Sequence, residues 1–284
     1  MPITTLQAWE MREVARGCSL LAQSLSHLPT ARFERQWGMR RGMIGLLAIV
    51  GCTYHEPGLG DDNGVARTCP TDMSLLLCVD FDGALTPTVD GMNYVVASQN
   101  VVAADRSGDR AARVGATSQL FIDAGAAGDL AVPELTLEMW VAPDQRPASD
   151  HSYGIFDNSG QFGIELHSDG HLQATFGGQQ VDGRTSVATQ AWTHVALTYD
   201  GSSLQLLVNG AVDGCRSGSG GSGPTGNTAG VAIGANLSSS AVFADQFIGG
   251  LDNIWLFNRA LSDAELCATA GQSGCNTTCP PPPS

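Results

Sequence analysis

The chain has 284 residues, which is enough for one large all-β domain or two small domains. Its composition, 43% hydrophobic with 35 glycines, suits a sizeable core and many tight turns. All 14 basic residues are arginines, and beyond residue 51 eight of them stand against 25 acidic residues, a net charge of −17. Nucleic acid is therefore excluded as an expected partner, because phosphates attract clustered Lys and Arg.

Residues 39–52 have the pattern of an export signal. A basic segment, Met39-Arg40-Arg41, precedes an apolar run over residues 42–50, and Ile49-Val50-Gly51-Cys52 matches a bacterial lipobox. The run is far shorter than the ~20 residues that a membrane-spanning helix needs. The pattern resembles a lipoprotein signal peptide over residues 39–51, which implies cleavage before Cys52 and a lipid anchor on Cys52. Thr53 is not the Asp of an inner-membrane retention signal, so we expect the outer membrane of a bacterial envelope.

The flanks of this signal have no regular pattern. Residues 1–38 fit poorly before it and are interpreted as a mis-called start, with translation beginning at Met39, or as disordered chain. The alternative is a cytoplasmic chain in which Cys52 is an ordinary thiol. Residues 52–72 are polar and rich in Gly and Asp, which predicts a flexible tether.

Six further cysteines support export, because an even number of cysteines in an exported domain predicts disulfides. They allow many pairings, but close spacing favours two short loops and leaves the remaining two cysteines for each other. No two of them have the CxxC spacing of a zinc site. The resulting pairs are Cys69 with Cys78, Cys267 with Cys275, and Cys215 with Cys279.

From about residue 74 short β-prone runs alternate with turns. Residues 75–79 are apolar, and residues 135–141 alternate until Pro143, which places Leu135, Leu137, Met139 and Val141 on one face of a strand. Further runs flank Asp169-Gly170, Asp200-Gly201 and Asn209-Gly210, the strongest short hairpin signals, so we expect an antiparallel meander.

The last part of the chain combines strands, one helix and a tail. Strands are predicted at residues 231–233 and 251–257. Ser262 can cap a helix because Glu265 follows at the spacing of a capping box. Residues 272–284 form a Cys- and Pro-rich tail, whose proline run excludes helix and strand.

Several stretches in order resemble one family. They are residues 76–83 (LLCVDFDG), 135–141 (LTLEMWV), 192–201 (WTHVALTYDG) with 206–210 (LLVNG), and 247–262. Together they are similar to the laminin-G-like jelly-roll family of the concanavalin A-like superfamily. The resemblance covers about residues 73–271 and implies an all-β, two-sheet antiparallel jelly-roll sandwich.

This superfamily includes glycosidases, so catalysis is considered first. Retaining glycosidases need two carboxylates about 5 Å apart, which the family's glucanases supply from a Glu-x-Asp-x-(x)-Glu strand. Glu134 and Glu138 have no Asp between them, and Glu165 stands alone, so we interpret these as surface carboxylates and expect no enzyme. A divergent glycoside hydrolase is the least favoured alternative.

Calcium is the main cofactor hypothesis, because Asp supplies 20 of the 28 acidic residues and Ca²⁺ prefers such oxygens. The first and last strands are neighbours in such sandwiches, which makes Asp80, Asp82, Asp90 and Asp252 the candidate ligands. Turn and surface roles are the alternative for each. Zinc at His167 and His171 lacks a third ligand, and His194 is expected to be a partly buried structural residue.

The sequence thus predicts a lipid-anchored envelope protein with one binding module. Its partner is expected to be carbohydrate or a surface protein, and a structural or adhesive protein without a small ligand is the alternative. Trp140, Trp192 and Trp255 fall in predicted strands, so core packing is favoured over sugar stacking for them.

Overall fold

The computed structural model describes residues 69–82, 88–89, 96–123, 130, 132–218, 229–238 and 242–281. All of them belong to the compact unit Gly60–Ser284. Residues 1–68 lie outside the described residues, and so do Asp90 and Cys52, so the export signal, the lipid anchor and the tether stay predictions. No helix within the described ranges is long and apolar enough to cross a membrane.

Two antiparallel sheets contain most of the described strands, as the sequence predicts. The nine-stranded sheet has the order β14-β13-β12-β7-β18-β1-β2, with the hairpin β4–β5 attached to β18 through β5. Its strands are β1 (Leu75–Asp80), β2 (Thr88–Val89), β4 (Val102–Arg106), β5 (Asp109–Val114), β7 (Leu135–Pro143), β12 (Thr193–Tyr199), β13 (Ser203–Val208), β14 (Ala211–Ser217) and β18 (Gly249–Phe257).

The seven-stranded sheet packs against it with the order β11-β10-β9-β8-β15-β6-β3. A separate two-stranded hairpin, β16–β17, lies beside it. The strands are β3 (Val96–Gln99), β6 (Gln119–Ile122), β8 (Ser152–Asp157), β9 (Phe162–His167), β10 (Leu172–Phe176), β11 (Gln179–Asp182), β15 (Val231–Ile233), β16 (Asn236–Leu237) and β17 (Phe243–Ala244).

The main core lies between the two sheets. The alternating residues of β7 predicted to face inward, Leu135, Leu137, Met139 and Val141, are all fully buried there. Aromatic rings from the opposite sheet fill the other side, and Tyr199 stacks on Phe176 with ring centroids 4.3 Å apart. The period-2 pattern therefore predicted correctly which face of β7 meets the second sheet.

The predicted hairpins form, although their turns differ in detail. Asn209 and Gly210 both adopt positive φ, 49° and 76°. At the Asp169 and Asp200 turns only the following glycine does so. The Asp200 carboxylate instead accepts the Ser202 N–H at 2.8 Å, an Asx turn that needs no left-handed Asp.

Among the described residues the only helix is α1 (Asp263–Thr269), and it has the predicted capping box. The Ser262 hydroxyl accepts the Glu265 N–H, and the Glu265 carboxylate accepts the Ser262 N–H at 2.8 Å. The apolar side of α1 lies on the outer face of the nine-stranded sheet, where Leu266 joins Ala196, Leu207 and Phe257 in a second cluster. Both faces of this sheet are thus buried in that region.

The six cysteines form the disulfides suggested by their spacing. Cys69 pairs with Cys78, Cys267 with Cys275, and Cys215 with Cys279. The first fastens the start of the domain to β1, and the other two hold the segment after α1 against the nine-stranded sheet.

Candidate functional site

Two of the four calcium candidates lie at the junction of β1 and β18. Val79 pairs with Ile254, so Asp80 at the end of β1 lies beside the bulge that follows Asp252. Both carboxylates are buried, and Asp82 two residues on is buried as well. The sequence therefore predicted correctly that the first and last strands are neighbours, whereas the calcium site itself stays a prediction and Asp90 lies outside the described residues.

Asp252 is engaged by an arginine that the sequence did not single out. The Arg106 guanidinium at the tip of the β4–β5 hairpin donates to Asp252 Oδ2, and the Asn253 N–H donates to Oδ1 at 2.9 Å. Burial raises the pKa of Asp252 to about 6, against the lowering effect of the Arg106 bond. The carboxylate therefore has a structural partner, and calcium binding stays a prediction.

Metal-ligand geometry within the described ranges is confined to one group, formed by Cys69, Cys78 and Asp80. Its two sulfur atoms are bonded to each other, so neither is a thiolate ligand. His171 pairs with Asp169 at 3.0 Å, and no three-ligand group in the described residues includes either histidine of the zinc hypothesis.

A buried polar pair lies on the outer face of the nine-stranded sheet. His194 Nε2 lies 3.1 Å from Glu138 Oε2, and both side chains are almost fully buried, 2% and 1% exposed. Glu138 Oε1 and His194 Nδ1 have no hydrogen-bond partner within the part of the chain described. The interpretation of Glu138 as a surface carboxylate was wrong, because α1 and the segment after it cover this face, and His194 is more deeply buried than predicted.

The tryptophans pack against this covered face. Trp140 meets the His194 ring edge-on at 5.4 Å, and the Arg106 guanidinium lies 4.9 Å from the centre of the Trp140 ring. Trp192 donates from Nε1 to the Asp105 carbonyl at 3.1 Å, and Trp255 packs beside the cluster under α1. All three rings are only half-buried and lie outside the core between the sheets, so the expected core packing is wrong for them, although each contacts neighbouring residues on this outer face.

The seven-stranded sheet has a different outer face. Its inward residues alternate with polar ones along β9, β10 and β11, and the polar ones project away from the core. We call this set the polar face; its members are Glu165, Gln173, Thr175, Gln180 and Asp182.

Strand register places the members of the polar face side by side. Glu165 pairs with Gln173, and Gln173 pairs with Asp182 on the next strand. The Gln173 amide donates to Asp182 Oδ1 at 2.8 Å, and Ser152 donates to Glu165 Oε2 at 2.8 Å. The Thr175 hydroxyl has no hydrogen-bond partner among the described residues. The face therefore retains donors and acceptors for a ligand.

The β16–β17 hairpin forms a wall beside this face. The Leu237 N–H donates to Asp157 Oδ2 at 2.7 Å, and the Gly160 N–H donates to Oδ1 at 2.8 Å, so Asp157 ties the hairpin to β8. Burial is the largest cause of the raised pKa of Asp157, and the charge of Glu165 raises it further. Gly154 makes room for the hairpin, since a Cβ there would lie 2.3 Å from Asn236 Oδ1.

A small apolar patch lies on the other side of the hairpin. Phe121 of β6 and Phe243 of β17 meet edge-on at 5.8 Å, and both are half-buried. Val242 next to them is 59% exposed. The outer face of the seven-stranded sheet thus has a polar part and an apolar part, separated by the hairpin.

The two-sheet geometry agrees with the sequence comparison. Residues 114–267, a little over half of the chain, match the family model described as the concanavalin A-like lectin/glucanases superfamily. This chain belongs to that superfamily. The predicted resemblance and the all-β jelly-roll fold class are therefore confirmed. No curated protein sequence matches this member of the superfamily.

Solved structures share the fold of this superfamily member at low identity. One is domain 4 of AbnA, a GH43 extracellular arabinanase from Geobacillus stearothermophilus, in complex with arabinotriose; it is 21% identical, with a TM-score of 0.54 over 69% of this chain and 98% of that one. Another is the binding domain of botulinum neurotoxin DC in complex with rat synaptotagmin II, 13% identical, with a TM-score of 0.54 over 70% of this chain. The chain spans about half of that neurotoxin structure, 51%.

A third structure concerns botulinum neurotoxin type C, whose cell entry depends on two ganglioside molecules. It is 12% identical, with a TM-score of 0.55 over 70% of this chain and 51% of that one. At such identities these likenesses establish the fold and leave the ligand to be argued from the residues of this chain.

The sequence did not single out the polar face. Glu165 was considered only as a catalytic carboxylate, and the glutamines of β10 and β11 were not considered. Alternation along residues 162–166 and 172–176 contained the signal, because Glu165, Gln173 and Thr175 alternate with apolar residues and point away from the core. Finding the site also required knowing which sheet has an uncovered outer face, and that depends on the position of α1.

Proposed function

We propose that this chain is a carbohydrate-binding module of a bacterial cell envelope, and that the polar face holds the glycan. The observation that carries the proposal is the row formed by Asp182, Gln173 and Glu165 on adjacent strands of the seven-stranded sheet. Carboxylates accept hydrogen bonds and the glutamine amide both donates and accepts, all in fixed planes, which suits the paired hydroxyl groups of a sugar ring.

The electrostatics of the face favour an uncharged glycan. Glu165 and Asp182 contribute negative charge, and the row on β9, β10 and β11 includes no arginine. An anionic sugar would meet like charge there, whereas hydroxyl groups can donate to the carboxylates. Domain 4 of the arabinanase, crystallised with arabinotriose, supports an uncharged oligosaccharide as the first probe.

Binding, and not hydrolysis, is the proposed activity. Asp157 and Glu165 interact electrostatically, but both oxygens of Asp157 accept backbone N–H groups and Glu165 Oε2 accepts from Ser152. A general acid or nucleophile needs an oxygen directed at the scissile bond. The Asp157 contacts therefore support a role in fixing the hairpin wall.

A glycan array probed with the full chain tests the proposal. We expect neutral oligosaccharides, arabinotriose among them, to bind better than sialylated ganglioside glycans. A parallel array with EDTA tests calcium, since a calcium-dependent site loses its binding there. Absence of glycan binding in both conditions would contradict the proposal.

A double variant, Gln173→Ala with Thr175→Ala, connects the binding to the polar face. It should weaken glycan binding roughly tenfold or more, because two hydrogen-bonding side chains are lost. Gln272→Ala is the matched control, since Gln272 is exposed in the segment after α1, away from both sheets' strands. Equal weakening in both variants would show that the polar face is not the site.

A protein partner is the second candidate function, favoured by the exposed Val242 beside Phe243. Contiguous exposed apolar patches mark protein-contact surfaces, and the neurotoxin domain with synaptotagmin II is a member of this fold bound to a protein. Val242→Asp should abolish capture of such a partner from envelope extracts while leaving glycan binding unchanged. Unchanged capture by the Val242→Asp variant would contradict a protein partner at this patch and leave carbohydrate binding as the one candidate.

The envelope location rests on the lipobox and is part of the proposal. We propose that Cys52 is lipidated and anchors the module to the outer membrane. Mass spectrometry of the mature N-terminus should find acyl chains on Cys52, and Cys52→Ser should release the protein from the membrane fraction. An unmodified chain that begins upstream of Cys52 would contradict the anchor.

A further inference from the structure

β14 is the outermost strand of the nine-stranded sheet. An uncovered strand edge presents unpaired N–H and C=O groups to strands of other molecules, and natural proteins cover or block such edges. Here the chain returns to that edge after α1. The Val212 N–H of β14 donates to the Asn276 carbonyl at 2.8 Å.

A disulfide continues this contact along the strand. Cys215, three residues after Val212, is bonded to Cys279, three residues after Asn276. The two segments therefore run side by side in the same direction, with a backbone hydrogen bond at one end and a covalent bond at the other. We call residues 276–279 the strap.

The residues that flank the strap restrict it on both sides. Cys275 at its start is bonded to Cys267 of α1. The turn before β14 packs closely against this junction, because a Cβ on Gly210 would lie 2.7 Å from Cys267 Cα and 3.0 Å from Cys275 Sγ. Pro280 follows the strap directly and has no N–H to offer to a further strand.

We propose that the strap closes the β14 edge against pairing with a second copy of this chain, and that the Cys215–Cys279 disulfide is its redox-sensitive lock. An alternative role, simple tethering of the C-terminus, needs neither the matched spacing nor the hydrogen bond to the outermost strand. The partner is a second copy because each molecule would offer the same edge, and two identical edges pair about a two-fold axis.

Exposure makes this lock the most accessible of the three disulfides. Cys279 is the only exposed half-cystine of the six, whereas Cys78 and Cys267 are buried in the other two bonds. Thiol–disulfide exchange requires a thiolate to reach a sulfur atom, so access controls which bond reacts first.

A dithiol reductant opens the Cys215–Cys279 disulfide in two exchange steps. Its first thiolate attacks Cys279 Sγ and forms a mixed disulfide, while Cys215 leaves as a thiolate. Its second thiolate then attacks the reductant's own sulfur and releases Cys279. The protein gains two electrons and two protons, and the reductant becomes a cyclic disulfide.

The double variant Cys215→Ser with Cys279→Ser tests the strap without a reductant. Sedimentation velocity over a concentration series should show an association constant roughly tenfold or more above that of the wild-type chain. A chain ending at Pro280 is the matched control, because it retains the lock and loses only residues 281–284; it should associate like the wild type. Added salt should strengthen association of the variant by screening the net charge of −14.

Two further measurements locate the effect. A synthetic peptide with the sequence of residues 275–281, with serine in place of both cysteines, should compete with the dimer of the double variant. Limited dithiothreitol treatment of the wild type, followed by iodoacetamide, should label Cys215 and Cys279 before the four cysteines of the other two disulfides.

The proposal has separate ways to fail. A folded double variant with the association constant of the wild type would overturn the edge-closing role, and near-ultraviolet circular dichroism establishes that it is folded. Earlier labelling of Cys69–Cys78 or Cys267–Cys275 would overturn the lock. The labelling arm uses the wild-type chain, so it stays decisive even where the variant fails to fold.

Discussion

The outer faces of the two sheets differ in what lies on them. The nine-stranded sheet is covered by α1, the segment after it and the Arg106 hairpin tip, so that Thr136, Glu138 and His194 are buried on a face that alternation alone would assign to solvent. On the seven-stranded sheet, the members of the polar face of β9, β10 and β11 are half-buried or exposed within the part of the chain that the structure describes. Polar residues on the first face therefore contribute to stability, and those on the second are the groups proposed to bind a glycan.

The largest expected loss of stability on the covered face comes from the Glu138–His194 pair. Glu138→Leu removes one partner of a buried pair and should destabilise the folded state by about 3–5 kcal/mol, because His194 stays buried without it. Equilibrium denaturation under oxidising conditions measures this cost. The double variant Glu138→Leu with His194→Leu should recover most of the loss; a double variant as unstable as the single one would show that cavity formation dominates.

Asp252 predicts a pH dependence with a definite sign. Its pKa is about 6 in the folded state, above the ordinary value of 3.8 that applies to an unfolded chain, so between these values the folded state binds more protons. Stability from this group is therefore greatest below pH 4 and falls by up to about 3 kcal/mol as the pH rises to 6. Asp252→Asn should remove that decline, which thermal denaturation of both proteins from pH 4 to 7 can measure.

A pH dependence of stability with the opposite sign is expected just after β18, around Arg259. Arg259 bonds to Asp72 and Glu265 and lowers the pKa of each to about 2. Their contribution is present above pH 4 and is lost as the pH falls toward 2. Parallel curves for the wild type and Asp252→Asn between pH 4 and 6 would contradict the assignment of the decline to Asp252.

Two threonines test the covered and uncovered faces directly. Thr136 Oγ1 donates to the Arg259 carbonyl at 2.9 Å and accepts the Leu261 N–H at 2.8 Å, so Thr136→Val should cost about 2 kcal/mol. Thr175→Val on the polar face should change stability by less than about 0.5 kcal/mol. Urea denaturation compares them, and equal losses would mean that both faces are structural.

A smaller loss than that of Thr136→Val is expected at the helix that covers the first face. Ser262→Ala removes one side of the capping box and should destabilise the protein by about 1 kcal/mol. Ser262→Thr serves as the control, since threonine retains a capping hydroxyl. Loss of stability in both variants would indicate that the residue acts through packing and not through the cap.

The sequence predicted the elements formed by local chemistry. The β7 alternation, the Asn209-Gly210 turn, the Ser262 cap and the close-spaced disulfides each depend on residues near one another in the chain, and all appear in the structure. Burial of Glu138 depends instead on residues distant in the chain, His194 of β12 among them, which no periodicity encodes.

The candidate site was harder to predict for a related reason. Acidic residues near the sheet junction, Asp80 and Asp252, were proposed as ligands because they are carboxylates, but Asp252 is bonded to Arg106 from a hairpin whose path the sequence does not show. The glutamines of the polar face are ordinary residues in an alternating strand. Their significance comes from the absence of a covering element on that face within the described residues.

The most direct test of the account is to map where a glycan lies on the full chain. Hydrogen exchange measured by mass spectrometry, with and without a neutral oligosaccharide selected from the array, should show slower exchange in peptides that span β9, β10 and β11 and no change in β7 and β12. Protection confined to β7, β12 or the segment after α1 would place the ligand on the covered sheet and contradict the assignment of binding to the polar face.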